Sequence, residues 1–325
     1  MPEGTDPPAA PTPEQEAAYL EALDRKIAAM TLPEGCEPLP LDPNYKSVRL
    51  RHYRYKGTVI NTWHVMAGAP EHWRRFSARP TDVFVASFPK SGTTWLQELV
   101  WQVVHQEQSK QTDEPLEYRF PLFDMPSVER MRFKEISEMS DPRLIKTHLP
   151  YHLLPESVWT SGAKVLYVSR DPRDVCVSYY HFCRMVNFNS YRGTFAEFRD
   201  AFQKGEMMYG PYREHVKGYR DHAGQVLCVT YEELHQDRVG CIKRVAEFLG
   251  RPMTDELAQT IFQRTSFAEM KKNPAVNYTH WQKEGVAHPE KEVGAFMRKG
   301  KVGDWTNYFT QEEGDALLKW SQQLV

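Results

Sequence analysis

The residues Ser87-Phe88-Pro89-Lys90-Ser91-Gly92-Thr93-Thr94-Trp95 follow directly on the apolar, β-branched run Val83-Phe84-Val85-Ala86. A strand, a turn of this composition and a helix start together offer one cation, a row of free backbone N–H groups and the hydroxyls of Ser91, Thr93 and Thr94. Such a set holds a phosphate-like anion, because helix N-terminal amides point at the ligand and the helix dipole favours negative charge. The order is not that of a Walker A loop, G-x-x-x-x-G-K-[ST], since the earlier glycine is missing and Lys90 precedes Gly92. The turn therefore points away from ordinary nucleotide hydrolysis.

Other segments concentrate charge in the same way. Val165-Leu166-Tyr167-Val168-Ser169 reads as a buried strand and runs into Arg170-Asp171-Pro172-Arg173-Asp174-Val175, then Cys176-Val177-Ser178-Tyr179-Tyr180-His181-Phe182. Near the end stands Phe296-Met297-Arg298-Lys299-Gly300-Lys301-Val302-Gly303-Asp304-Trp305. In Arg143-Leu144-Ile145-Lys146-Thr147-His148-Leu149-Pro150, a lysine and a histidine lie two apart at a strand end, and strand alternation projects both to one side. An imidazole with its ordinary pKa of about 6.5 can accept a proton at neutral pH.

Taken in this order, the segments resemble the cytosolic sulfotransferase family, over a stretch from about residue 40 to about residue 320. Members move a sulfuryl group from 3′-phosphoadenosine 5′-phosphosulfate (PAPS) to an acceptor hydroxyl or amine and release 3′-phosphoadenosine 5′-phosphate (PAP). By analogy with phosphoryl transfer the transition state is loose, so positioning and charge stabilisation dominate. The resemblance implies that Lys90 neutralises the leaving phosphate. Ser91, Gly92, Thr93 and Thr94 hold the 5′-phosphate, and Trp95 lies near the adenine. It makes His148 the general base and Lys146 a contact to the sulfuryl group. Arg170 and Ser178 form one half of a 3′-phosphate site, with Arg298, Lys299 and Gly300 as the half that closes from the long loop. Tyr231 and the Thr265-Ser266-Phe267 segment match the purine side, Phe267 as a stacking ring. Phe120, Phe182, His181 and Tyr118 fall where the family lines its acceptor cavity, and Tyr278, Trp281 and Phe296 are further candidates. The acceptor is then a phenol, catecholamine, sterol or other lipophilic alcohol.

Each of these residues has a plainer reading. Lys90 could be a solvated loop lysine, Arg170 a surface ion pair with Asp171 or Asp174, and the aromatics core packing. Three functional alternatives also stand. One is a retinol dehydratase-type reaction on the same fold, in which sulfation of an alcohol leads to elimination. Another is a catalytically silent PAP-binding regulator, which the intact Lys90, Lys146, His148 and Ser178 oppose. The third is a P-loop kinase, opposed by the loop order and by the missing acidic metal ligand.

Composition narrows the partners. The 325 residues carry 41 basic and 43 acidic groups, a net charge of −2, so general attraction to nucleic acid or to an anionic membrane is not expected. The basic-aromatic run Val48–Gly57 reads as strand rather than a nucleic-acid platform, because no other basic stretch adjoins it. Cys36, Cys176, Cys183, Cys228 and Cys241 match no zinc spacing and read as reduced structural thiols. No metal site is expected; the lysines supply the charge that a metal supplies elsewhere. An apolar leader and an apolar span of about 18 residues are both lacking, which favours the cytoplasmic branch of the family over its membrane-anchored Golgi relatives.

The positioning elements follow from periodicity. Strands are expected at 83–87, 143–147, 165–169 and 226–231, and helices at 94–106, 174–186, 194–203, 209–221, 239–249, 254–263 and 311–321. Short apolar runs alternating with helices predict an α/β fold: a central parallel sheet flanked by helices on both faces, with the P-loop-like phosphate turn after its first strand. Residues 1–12, rich in Pro and Ala, read as a disordered tail, and 13–325 as a single sulfotransferase domain. Thr12-Pro13-Glu14-Gln15 looks like a capped helix start, with Leu20, Leu23, Ile27 and Met30 at helical spacing. Residues 270–305 are long and non-periodic, as functional lids often are. Many family members dimerise through a K-x-x-x-T-V-x-x-x-E segment after the G-D-W motif. Thr306, Thr310, Gln311 and Asp315 stand there and only Thr310 agrees, so a monomer or another interface is open.

Overall fold

The computed structural model describes residues 12–46, 49–106, 112–125, 136–187, 190–289 and 293–323. The tail expected at 1–12 falls, apart from Thr12, outside them, as does Val48. The expected first helix forms over Pro13–Ala28. A small antiparallel sheet follows, with β1 (Cys36–Pro38), β2 (His52–Tyr55) and β3 (Thr58–Asn61) in that order. The basic-aromatic run is thus one arm of a hairpin that turns at Lys56 and Gly57, both with positive φ (46° and 84°).

The central sheet has the order β5-β4-β6-β7 and every neighbouring pair is parallel: β4 is Val83–Ala86, β5 Leu144–Thr147, β6 Lys164–Ser169 and β7 Val226–Thr230. Its residues alternate between two cores. Phe84, Ala86, Ile145, Val165 and Tyr167 pack with apolar residues of the helices Pro172–Met185, Phe195–Lys204 and Tyr212–Arg220. Val83, Val85, Leu144, Leu166 and Val168 pack with those of Thr93–Val104, Arg238–Phe248 and Asp255–Arg264. Burial on both faces is why these strands read as unbroken apolar runs. Chain order reverses beside β4, with β5 on one side and β6 on the other. The carboxyl ends of the strands therefore bound the crevice in which open α/β sheets bind ligands.

Element ends differ from expectation where capping decides. The helix expected from 174 begins at Pro172, because Asp171 accepts a hydrogen bond from the Arg173 N–H (2.9 Å) and Pro172 suits the first helical position. The strand expected to reach Tyr231 stops at Thr230, which caps the helix Tyr231–Gln236 in a box with Glu233. The helix expected from 209 waits until Tyr212, past Gly210-Pro211. The stretch 270–305 is mostly irregular but contains the short helix His280–Lys283 and a 3-10 turn at Asp304–Asn307. All five cysteines are free thiols, three of them buried. None of the described helices is long and apolar enough to cross a membrane. Residues at the family's dimer segment are engaged within the chain: Thr310 caps the helix Gln311–Gln322, and Gln311 donates to Asp315 (3.0 Å).

At the opposite edge of the sheet from the phosphate turn, Arg143 grips Asp82 through two hydrogen bonds of 2.7 and 2.5 Å, and both side chains are buried. Main-chain bonds from Val83 to Arg143 O and from Lys164 to Asp82 O tie this pair to β4, β5 and β6. Arg143→Leu leaves the Asp82 carboxylate buried and unpaired, and is expected to cost about 3–5 kcal/mol in urea unfolding. A loss below about 1 kcal/mol would place the pair among interactions of surface strength.

Candidate active site

The turn after β4 forces two residues into left-handed backbone, Lys90 (φ 68°) and Gly92 (φ 112°). A Cβ on Gly92 would stand 2.7 Å from the Tyr231 ring, so the position requires glycine on both counts. The helix Thr93–Val104 begins at Gly92 without a side-chain cap, and Gly92, Thr93 and Thr94 line a cavity of about 620 Å³. Thr93 and Ser87 hydroxyls meet at 2.6 Å. Ser91 differs from expectation: it is fully buried, does not line the cavity, and its hydroxyl has no partner among the described residues.

Lys90 carries its ammonium over the rings of Phe296 (3.9 Å) and Phe182 (4.7 Å). Burial, and then the neighbouring charges of Lys146, Arg170 and Arg298, push its pKa down to about 7. Cations accumulate around it and no carboxylate among the described residues pairs with it. An incoming anion relieves that repulsion.

His148 lies one residue past β5, and with Lys146 it lines the same cavity. Its Nδ1 is 2.8 Å from the Ser87 carbonyl oxygen, which can only accept. Nδ1 therefore bears the proton and Nε2 keeps its lone pair. Burial and the Lys146 charge hold the imidazole well below its usual pKa, so it is neutral at pH 7. Two residues that sequence reasoning missed fix it. Asp124, fully buried, accepts from the His148 N–H (2.7 Å) and the Thr147 hydroxyl (2.5 Å). His215 donates from Nε2 to the His148 carbonyl (2.9 Å). Burial raises the Asp124 pKa to about 6 against those bonds. Its one available signal was its place directly after the apolar segment Phe120–Phe123, whose backbone pairs with Lys146 at the edge of β5.

Arg170, just after β6, donates to the Lys301 carbonyl (2.9 Å), pairs with Asp174 (3.3 Å) and stacks on Tyr231 (4.2 Å). The Arg170–Asp174 pair set aside as a plainer reading is therefore present, alongside a buried Arg170 Nε with no partner. Asp174 also accepts from the Gly303 and Trp305 N–H groups (2.8 and 2.9 Å), pinning the G-D-W segment to the helix Pro172–Met185. Arg298 and Lys299 both engage Asp304, the latter at 2.5 Å. Ser178, Arg170, Arg298, Lys299 and Gly300 all line the cavity. Gly300 (φ 62°) packs so tightly on Phe267 that a Cβ would overlap the ring.

On the purine side, Trp95 sits edge-on to Tyr231 (5.3 Å) and its Nε1 donates to the Thr265 carbonyl (2.8 Å). Thr265 itself is buried away from the cavity with its hydroxyl bonded to Ile261 O, so it positions Trp95 rather than lining the site. Phe267 lines the cavity, as do His235 and Arg238, which sequence reasoning missed. His235 comes from the last turn of the helix Tyr231–Gln236 and Arg238 from the first position of the helix Arg238–Phe248; they flank Trp95 at 4.8 and 5.0 Å.

At the far end Phe120, Phe182, Tyr278, Trp281 and Phe296 line the cavity, whereas His181 bonds to the Tyr308 hydroxyl (2.7 Å) and it and Tyr118 lie outside the lining. Asn61, Trp63, His64 and Tyr209 join the wall, as do three residues of the first helix. Among the described residues one group has metal-ligand composition, namely Glu117, His280 and Glu284, whose ligand atoms lie within 4.8 Å of one another. Spacing along the chain did not reveal it. Within it Glu117 and His280 form a 2.9 Å pair, which raises the histidine pKa.

Cations gathered at the carboxyl edge of a parallel sheet, around a glycine turn, define a group-transfer site for a phosphate-bearing donor. Residues 80–325 match the sulfotransferase domain family. Sulfotransferase 1B1 of Canis lupus familiaris is 35% identical over 289 residues, covering 86% of this chain and 94% of the relative. Sulfotransferase 1E1 of Bos taurus is 39% identical over 254 residues, 77% and 85% of the two chains. A retinol dehydratase, solved with androsterone and the inactive cofactor PAP and also with retinol and PAP, superposes with a TM-score of 0.75 at 27–28% identity, covering 89% of this chain and 96% of that one. The chain belongs to the sulfotransferase family and is a sulfotransferase.

A phosphate-bearing cofactor such as PAP, seated against Lys90, should bind with proton uptake. At pH 8.5 Lys90 is mostly neutral, since its pKa is about 7. The phosphates of PAP are already dianionic at that pH. Their charge raises the lysine pKa, so binding takes up on the order of one proton at pH 8.5 and less at pH 6.5, where Lys90 is charged beforehand. Calorimetry in buffers of different ionisation enthalpy reads this uptake, and Lys90→Met should remove it. Equal uptake in the variant would assign the proton to another group.

Proposed function

We propose that the protein transfers the sulfuryl group of PAPS to the hydroxyl of a small lipophilic or aromatic acceptor by in-line displacement, with His148 as general base. One observation carries the reading: a neutral imidazole with a free Nε2 and an ammonium without an anionic partner line one cavity. His148 Nε2 takes the acceptor proton as the acceptor oxygen bonds to sulfur and the sulfur–oxygen bond to the phosphate breaks. Lys90 offsets the charge that develops on the leaving phosphate; a unit pair at about 4 Å is worth roughly 4 kcal/mol at an effective dielectric of about 20. Lys146 holds the sulfuryl oxygens.

The chain's other groups orient the donor. Gly92, Thr93 and Thr94 hold the 5′-phosphate at the helix start. Arg170, Ser178, Arg298, Lys299 and Gly300 take the 3′-phosphate, Arg298 and Lys299 exchanging some of their contact with Asp304 for it. Trp95, Tyr231 and Phe267 enclose the purine. No metal is assigned a role. Tyr45, β4 and Trp305 share one core cluster, which supports a single domain for the described chain from residue 13 onward.

Likeness to retinol dehydratase over 89% of the chain supports a second reading, sulfation of an alcohol followed by elimination. Product analysis with retinol separates the two, since only elimination yields a dehydrated hydrocarbon.

His148→Ala should lower turnover by at least about 10²-fold, the low end for loss of a general base. PAP affinity should hardly change, because His148 faces the acceptor. Loss of PAP binding in step with rate would make the histidine structural instead. PAP at about 100 times its dissociation constant should add about 2.7 kcal/mol of stability in thermal unfolding. ATP, which lacks a 3′-phosphate, should add far less at the same concentration. Equal stabilisation would sink the 3′-phosphate assignment.

A further inference from the structure

The helix Pro13–Ala28 precedes the stretch matched by the sulfotransferase domain family, which begins at residue 80. It nevertheless walls the cavity that holds Lys90 and His148: Tyr19, Leu20 and Leu23 line it. These positions fall on one helical face. Leu23 is only 6% exposed, so the face is seated and not merely near. One turn on, Asp24 is clasped by Arg49 through bonds of 2.6 and 2.7 Å, and Arg49 lines the same cavity.

A continuous wall joins this helix to the catalytic base. The His148 and Tyr209 rings are 5.4 Å apart, and the Tyr209 hydroxyl lies 3.3 Å from His64 Nε2. His64, Asn61 and Trp63 form the adjoining wall where the small sheet ends. Beyond His64 the lining from the first helix is Tyr19 and two leucines. An acceptor whose hydroxyl reaches His148 can thus extend past Tyr209 and the His64 wall toward the leucines of the first helix.

We propose that this helix sets acceptor specificity, with Leu20 and Leu23 closing the far end of the acceptor slot, and that the fitting acceptor is an elongated apolar alcohol whose tail reaches them. The assignment rests on the sulfuryl-transfer reading for its chemistry but on the helix alone for its length limit. Each methylene buried along the slot should improve affinity about three- to fourfold, until the tail meets the helix and the gain stops.

A series of straight-chain primary alcohols tests this, read both as kcat/KM with PAPS and as equilibrium binding to the PAP-loaded protein. Leu20→Trp should end the gain at a shorter chain and weaken the longest alcohols at least about tenfold, the worth of roughly two buried methylenes. Leu20→Ala should extend the gain to longer chains. PAP affinity, and the kcat/KM of a compact acceptor such as 2-naphthol, should stay within about twofold, which also reports that the variants are folded. A length limit that moves in neither variant, or compact and long acceptors affected alike, overturns the role of the helix. If alcohols bind with the expected limits but none is sulfated, the transfer reading fails while the helix assignment stands.

Discussion

Electrostatic repulsion among Lys90, Lys146, Arg170 and Arg298 is the constraint around which the rest of the structure is arranged. Lys90 is depressed by burial and by the other three cations together. Like charges held close in a partly desolvated pocket are unfavourable unless the surrounding fold over-determines their positions. Here the fold does so: three of the four sit on or just beyond the ends of β4, β5 and β6, strands hydrogen-bonded to one another and buried on both faces. The strain is relieved by whatever anion enters.

Carboxylates near the site are placed so as not to quench it. Asp174 is spent on two main-chain N–H groups of the G-D-W segment as well as on Arg170. Asp304 holds Arg298 and Lys299, the cations proposed for the 3′-phosphate. Asp124 is bonded to Thr147 and to the His148 backbone, and so braces His148 without pairing with Lys90. Each of these three anions therefore positions a cation, a loop or His148, and none of them pairs with Lys90.

The aromatic end of the cavity obeys a different rule. Its wall is aromatic and aliphatic and is drawn from segments far apart in the chain: the first helix, the end of the small sheet, the Phe120 segment and the 278–296 stretch. Apolar contact has no directional motif, so shape there depends on which surfaces the fold brings together.

The residues that meet in the cavity were legible where their placement is local. A glycine turn after a strand, a lysine and histidine two apart at a strand end, and an arginine after a strand each carry their geometry in short-range backbone rules, and all of them line one cavity. The sheet was legible for a related reason, since strands buried on both faces must be apolar throughout. Thr265 and Ser91 were misplaced because their motif fixes the backbone but not whether a hydroxyl turns to the cavity or into the core. Asp124, His215, His235 and Arg238 were missed because their roles exist only across long sequence separations. The seat of the first helix belongs to the same class. Its amphipathic spacing foretold a helix with a buried face, but which surface it covers was decided by tertiary packing, where the Asp24–Arg49 clasp holds it against the cavity that Lys90 and His148 also line.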